Sequence, residues 1–267
     1  MRIELSVAAL DILWEDLSLG RPPFPLEIPS HGDTAAIRAR IRTAVYDDLA
    51  RRDLADGTRP DDALVEKLRL LADPAAAVDL VALLDLTDSQ PLRAVAAVRG
   101  RHGLVAVQRK LTVSLRGTRE DLAIPALLRL LPHARAGSAT SVTRPASTFA
   151  NAERLVHVGG VLSTATAPGP RPPGRVVRAG QLGVTSVDES GRRHRGPGLG
   201  WFDTDDGRYA TTMTRGPDGA DWVTVWPADN DRLAHRLTES LRPLDLARAD
   251  EAGWQRDVDR RGPTGSA

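Results

Sequence analysis

Residues 201–226 read WFDTDDGRYATTMTRGPDGADWVTVW. Two turns punctuate the stretch, DTDDG at 203–207 and GPDG at 216–219, and each joins short runs rich in β-branched and aromatic residues. Asp and Gly tolerate the backbone conformations of a tight turn, so the pattern predicts consecutive antiparallel strands. Side chains alternate along a strand, which puts Trp222 and Trp226 on one face, with Trp201 on a neighbouring strand. Just downstream, Asp229 can cap a helix in which Leu233, Leu237 and Leu241 recur every four residues before Pro243. Upstream, residues 175–188 carry Val176, Val177, Leu182, Val184 and Val187 and predict another strand, followed by a basic, glycine-rich turn region at 191–200. This third of the chain therefore reads as a hairpin-rich sheet with a helix packed on it.

The rest of the chain supports a mixed architecture. Val7, Leu10, Leu13, Trp14 and Leu17 make an amphipathic helix that Ser6 can cap, with Asp11, Glu15 and Asp16 turned mostly away from its apolar face. Pro22, Pro23, Pro25 and Pro29 then force an extended crossing or an edge strand. Ile37, Ile41, Val45 and Leu49 predict a helix over 33–52, and Leu64, Leu68 and Leu71 a shorter one over 61–71. The run VDLVALLDL from Val78 fits strand or helix. Residues 92–98, 103–108 and 111–115 read as an antiparallel meander. A helix follows to Leu130, with Thr118 as its cap and Glu120 and Asp121 in a first turn that favours negative charge. Residues 134–146 read as a loop, 149–158 as a short helix and 168–174 as a proline–glycine break. Residues 111–132 echo 222–243: shifted by 111 positions, Leu122, Ala123, Leu130 and Pro132 match Leu233, Ala234, Leu241 and Pro243. Each half is expected to end in a strand and a helix packed on the sheet, which predicts a pseudo-twofold arrangement.

Composition excludes several chemistries. The 267 residues hold no cysteine, so disulfides, thiolate metal sites and cysteine nucleophiles are out. Thirty-six basic residues face thirty-five acidic ones, without the excess that a phosphate-backbone binder usually shows. Hydrophobic residues are 41% and aromatics only 4%, an aliphatic core in the making. The opening MRIELSVAALDILWED breaks its apolar residues with Glu4, Asp11 and Glu15, unlike a signal-peptide core, and no apolar run approaches the ~20 residues of a membrane-spanning helix. The expectation is a soluble, cytoplasmic protein without stable membrane insertion.

No local signature of catalysis emerges. The six histidines lie at least 24 residues apart, with no HExxH. Asp203, Asp205 and Asp206 resemble the start of a calcium loop, but the next glycine comes fifth and Thr214 stands where a glutamate is needed, so a tight turn accounts for them. GPGLG at 196–200 opens no helix and is not a dinucleotide fingerprint. The basic segment Arg171–Arg195 leaves a nucleic-acid or regulatory binding module as an alternative, with only Trp201 and Phe202 near as stacking platforms. A hydrolase assembled across the fold is a further one. Trp222 and Trp226 read either as core under the last helix or as aromatic anchors of a protein interface.

The opening LSVAALDILWEDLSLGRPPFPLEIPS resembles the start of the EspG family, the ESX (type VII) secretion-associated proteins of actinobacteria, through Leu13, Trp14, Leu19, Gly20, Pro22 and Pro23. A second match lies at Gly180, Gln181 and Gly183, in FDTDDGRY from Phe202 to Tyr209, and in WVTVWPAD from Trp222 to Asp229. The resemblance spans roughly residues 5 to 243. It implies an α+β fold with a quasi-twofold central antiparallel sheet flanked by helices, no enzyme activity and no cofactor. Mycobacterial members are cytosolic chaperones that bind the helical tip of the PPE subunit of a PE–PPE pair. The implied partner here is a PE–PPE-like heterodimer or another helical ESX substrate, with no nucleic acid; a homodimer is compatible with the sequence. The expected organisation is one domain over 1–243, built from halves at about 1–133 and 147–243 joined by a loop at 134–146, with a largely flexible tail at 244–267. Arg193, Arg195, Arg208 and Trp226 are the protein-contact candidates, placed on the surface by position.

Overall fold

A computed structural model describes residues 2–148, 174–188, 190–217 and 219–241. The chain opens with a strand that the sequence reading did not anticipate, β1 (Arg2–Ser6), in which Ile3 and Leu5 are buried and Arg2, Glu4 and Ser6 exposed. Five residues are too few for this alternation to stand out. Helix α1 (Val7–Asp16) follows without a break, and Ser6 Oγ accepts from the Ala9 N–H at 3.0 Å, the expected cap. The proline segment forms no strand. It is held instead by the buried Gln108, which accepts from Glu27 N and donates to Glu27 O, both at 2.8 Å.

Helix α2 (Ala35–Arg51) buries Val45, Tyr46 and Leu49, whereas Ile37 at its start is 45% exposed. The acids of α1 do not simply face water. Arg38 donates to Asp11 at 3.0 Å and also holds Glu15, Arg42 donates to Asp16 at 3.0 Å, and the Tyr46 hydroxyl donates to Asp16 at 3.0 Å. A small hairpin, β2 (Ala55–Asp56) and β3 (Arg59–Pro60), turns at Gly57 and leads into α3 (Asp62–Ala72), capped by Asp61 and seated through Leu64, Leu68 and Leu71.

The sheet then takes shape as the meander β4 (Ala76–Leu83), β5 (Leu92–Arg99), β6 (His102–Arg109) and β7 (Thr112–Arg119), ending in α4 (Glu120–Leu128). Thr118 lies inside β7, so it does not cap α4. Arg119 precedes the helix with no side-chain cap, and Glu120 and Asp121 supply the favourable charge. Residues 134–146 are not a plain joining loop: β8 (Val142–Pro145) pairs with a later strand, and a 3-10 turn follows at Ala146–Thr148. The second meander comprises β9 (Val176–Val187), β10 (Arg193–Arg195), β11 (Leu199–Thr204), β12 (Arg208–Arg215) and β13 (Asp221–Pro227), and α5 spans 230–241. The expected helix at 149–158, the proline–glycine break over 168–173, Trp254 and the tail at 244–267 fall outside the described residues.

All strands but β2 and β3 belong to one antiparallel sheet, in the order β1-β7-β6-β5-β4-β9-β11-β12-β13-β8, with β10 beside β9. The order is the same kind of path from either edge: an edge strand, then a meander running back to the centre. The halves meet at the β4–β9 pair, where Leu80 faces Leu182 and Val78 faces Val184. This explains the ambiguous VDLVALLDL run. A central strand is covered on both faces, so it loses the apolar–polar alternation of a half-exposed one. On one face α1, α2 and α3 pack over Val95, Ala97, Leu104, Ala106, Val113 and Leu115 of the first half. On the other, α4 and α5 lie over Leu80, Ala94, Ala96, Leu182, Val184 and Trp201. The strand and helix that close each meander correspond at an offset of 110 rather than the 111 of the gapless sequence match. The gapless match equates Leu122, 44% exposed, with Leu233, which is fully buried. Burial pairs Ala123 with Leu233 and Leu127 with Leu237, and the helix caps Arg119 and Asp229 are offset by the same 110. Among the described residues no helix is long and apolar enough to cross a membrane.

Candidate docking surface

The turn between β11 and β12 holds the acidic triplet, and each carboxylate has protein partners. Asp203 and Arg208 are direct cross-strand neighbours at the mouth of the hairpin. Arg208 Nε donates to Asp203 Oδ1 at 2.6 Å and its Nη2 to Oδ2 at 3.0 Å. The same guanidinium donates to Pro132 O at 2.9 Å and to Asn230 Oδ1 at the start of α5, and it lies over the Trp201 ring at 4.9 Å. Asp205 accepts from Arg175 N at 3.1 Å. Asp206 accepts from the Tyr209 hydroxyl and from Ser138 N and Oγ, bonds that hold its carboxyl down at about 2. The triplet is a turn, as its sequence suggested, and no group of three or more metal-ligating side chains occurs among the described residues.

Arg208 therefore leaves the set of surface candidates. Its relative exposure is 0%. It ties the hairpin to α5 and to the chain after α4, and a guanidinium so enclosed offers nothing to a partner. The sequence did carry the signal: two residues flanking a DDG turn face each other across the hairpin, and an Asp–Arg pair there predicts an ion pair.

Arg193 and Arg195 sit on β10, on the flank of β9. Arg195 donates to both oxygens of Asp79 on β4, at 2.6 and 3.1 Å, and lies 5.7 Å from the exposed Phe24 ring. Arg193 donates to Ala72 O, at the end of α3, at 3.0 Å. Both arginines thus fasten the second half to the first while keeping part of their surface in water. Next to them His194 Nε2 and Asp188 Oδ2 lie 2.7 Å apart, and that bond, with one from the Ser190 hydroxyl, holds the Asp188 carboxyl far below the usual carboxylate range.

Trp226 faces the other side of the sheet. With Trp222 and Thr224 it points to the α5 side, opposite Ala210, Thr214 and Thr212 of β12 respectively. It is half-buried against α5 and borders a groove of about 670 Å³ between that helix and the outer strands. A second hollow of about 330 Å³ lies between α4 and α5, floored by Ala76, Val78 and Ala96. The four candidates consequently do not form one patch. Two lie on β10 toward the α1–α3 side, one is buried, and one borders the groove, whose α5 wall the sequence reading did not single out.

The sequence matches the EspG family model over residues 6–239. It matches no curated protein. Among solved structures it is similar to a chain of the "Structure of the Mycobacterium tuberculosis type VII secretion system chaperone EspG5 in complex with PE25-PPE41 dimer". That likeness has a TM-score of 0.63 at 14% identity and covers 90% of this chain and 96% of the other, which establishes a shared fold. With the family match running from the cap of α1 into α5, the chain belongs to the EspG family.

Proposed function

We propose that the protein is a cytosolic chaperone of type VII secretion, which covers the apolar end of a helical secreted partner of PPE type, or an analogue, and keeps it soluble for export. The observation that carries this reading is the family match over residues 6–239. The fold shared with a chain from a complex of EspG5 and a PE25-PPE41 dimer supports it. A client end of this kind would self-associate if left uncovered, and covering it needs a complementary surface and reversible affinity rather than chemistry. Arg193, Arg195 and Trp226 remain contact candidates, and residues 1–243 act as one unit in this reading. The nucleic-acid alternative finds little support, since Arg178, Arg193 and Arg195 of the basic segment are already engaged with Asp203, Ala72 O and Asp79. Co-expression with a PPE-type partner from the same organism tests the proposal. The partner should move from the insoluble to the soluble fraction and co-elute with the chain on gel filtration. A partner equally insoluble with and without the chain would refute it.

A further inference from the structure

The hollow between α4 and α5 has a filled counterpart in the other half of the sheet. On the α4–α5 face, the pairs that close the β11–β12 hairpin are Asp203–Arg208 and Trp201–Ala210. The buried Trp201 indole, with the Arg208 guanidinium over it, takes up the space beside the start of α5. At the same two steps of the β5–β6 hairpin the pairs are Val98–Gly103 and Ala96–Val105. These side chains are smaller, and beside the start of α4 they leave the hollow of about 330 Å³. Ala96 and Val98 floor it, Ala123 and Ile124 of α4 form one wall, and Ala234 and Leu241 of α5 the other. Water enclosed by such a lining finds few hydrogen-bond partners, so the chemistry favours an apolar side chain.

The chain itself continues from the rim. Leu241 ends the described part of α5, and RPLDLARADEAGW at 242–254 follows it, beyond the described residues. The segment after α4 indicates its path. At the offset of 110, Leu131 corresponds to Leu241, yet Leu131 is only 4% exposed whereas Leu241 is half-buried. Past Leu131 the chain crosses the start of α5: Pro132 O accepts from Arg208 Nη2 at 2.9 Å and Arg135 O from Arg208 N at 2.8 Å. The equivalent turn after α5 carries residues 242 onward across the start of α4, over the hollow. Glu120 and Asp121 are exposed there, and of the two only Asp121 has an ion pair among the described residues, with Arg119. Arg242 and Arg248 flank Leu244 and Leu246 in the segment, and Trp254 is its one aromatic residue. At about 3.3–3.6 Å per residue, the chain from Leu241 to Trp254 can reach about 40 Å, ample for a return to a hollow that Leu241 lines. We propose that residues 242–254 fold back across the start of α4 as a strap. Trp254 fills the hollow, and Arg242 and Arg248 face Glu120 and Asp121. The segment thereby gives the first half the indole that Trp201 gives the second, and it ties α5 to α4. The strap needs no partner and is independent of the chaperone reading.

Fluorine NMR of the full chain labelled with fluorotryptophan tests this, together with urea unfolding followed by circular dichroism. Trp254→Ala identifies the Trp254 resonance, which in the folded chain should lie away from its position in urea. The same variant should lower the urea midpoint by more than about 0.5 M, the loss of one large buried apolar side chain. Ala234→Phe puts a ring into the hollow from its α5 wall. It should return the Trp254 resonance to the unfolded position, and Trp254→Ala added to it should leave the midpoint where it was. Glu120→Arg/Asp121→Arg, on the exposed first turn of α4, should move the Trp254 resonance the same way, and this pair carries the test if Ala234→Phe does not fold. A Trp254 resonance at the unfolded position in the unsubstituted chain would overturn the strap. So would a midpoint unchanged by Trp254→Ala, or a resonance that neither the filled hollow nor the reversed charges displace.

Discussion

Removing the Asp203 carboxylate is the most demanding perturbation of this fold. Arg208 makes four side-chain hydrogen bonds, of which Asp203 accepts two. Asp203→Ala leaves Pro132 O and Asn230 in place but strips the buried guanidinium of its counter-charge, with the Asp203 and Arg208 side chains at only 3% and 0% exposure. It also frees Arg178, which lies 3.5 Å from Asp203 and is partly in water, a smaller loss. Breaking a buried ion pair from one side costs about 3–5 kcal/mol. With a urea dependence of about 1–3 kcal/mol per molar, the unfolding midpoint should fall by more than about 1 M, read by far-UV circular dichroism on the full chain. The companion variant Asp203→Leu/Arg208→Met separates the charge from the packing. A buried pair replaced by apolar side chains of similar size often loses little or nothing, so the double variant should be more stable than Asp203→Ala alone. A midpoint shift below about 0.3 M for Asp203→Ala, or a double variant as weak as the single, would refute the placement of this pair as the tie between hairpin and α5.

The register of the two halves predicts that Leu237→Ala costs about 2–5 kcal/mol, whereas Leu122→Ala, at 44% exposure, stays below about 1 kcal/mol in the same urea assay. The Asp206 carboxyl, held at about 2 by Tyr209 and Ser138, sits below its ordinary value in the folded chain. Its contribution is therefore present above the ordinary carboxylate range and fades as pH falls toward 2. Asp206→Asn should flatten the acid limb of stability between pH about 4 and 2, measured by urea midpoints across that range. Gly180→Ala would bring a methyl to 2.5 Å from Val81 O and 2.8 Å from Trp201 Nε1, at the seam between the halves. A loss of about 1–3 kcal/mol is expected, and a neutral outcome by thermal melting would show that the seam can open to admit it.

The parts of the fold that declared themselves in the sequence are those whose signals are local. The Asp–Gly turns at 203–207 and 216–219, the caps Ser6 and Asp229, and the four-residue spacing of Leu233 and Leu237 each depend on neighbours a few residues away. What escaped depends on distant chain. Strand β1 exists because β7 offers an edge to Ile3 and Leu5. Strand β8 gains its place only by pairing with β13, some eighty positions on, so its VTRP sequence looks like loop. The proline segment is fixed by Gln108, a partner no periodicity reveals. For the candidate site the limit was one of orientation. Trp226 and Arg208 are both conspicuous in the sequence, but only the folded sheet separates a groove-lining tryptophan from an enclosed arginine. The α5 wall is not legible in the sequence because the buried leucines, not the outer charges, identify the helix.

The divergence between the halves is where function can be sought. Both must fill the same layer, so Ala123 with Leu127 and Leu233 with Leu237 repeat one packing solution. Core demands cannot explain a difference outside that layer. At the mouth of the first hairpin the closing pair is Arg99 and His102, both exposed; at the equivalent mouth of the second it is Asp203 and Arg208, both buried. The second half thus carries an ion pair that anchors the base of α5, next to a groove whose wall that helix forms. Anchoring the helix at Asn230 fixes the direction in which Arg232 and Arg236 point. Asn230→Ala should therefore weaken binding of the PPE-type partner as well as lower global stability. Loss of the Arg208–Asn230 and Asn230–Leu128 bonds costs about 1–3 kcal/mol in folding, and binding should fall about tenfold at urea concentrations far from the unfolding transition. Unchanged partner affinity with the expected stability loss would mean that the buried pair serves the fold alone.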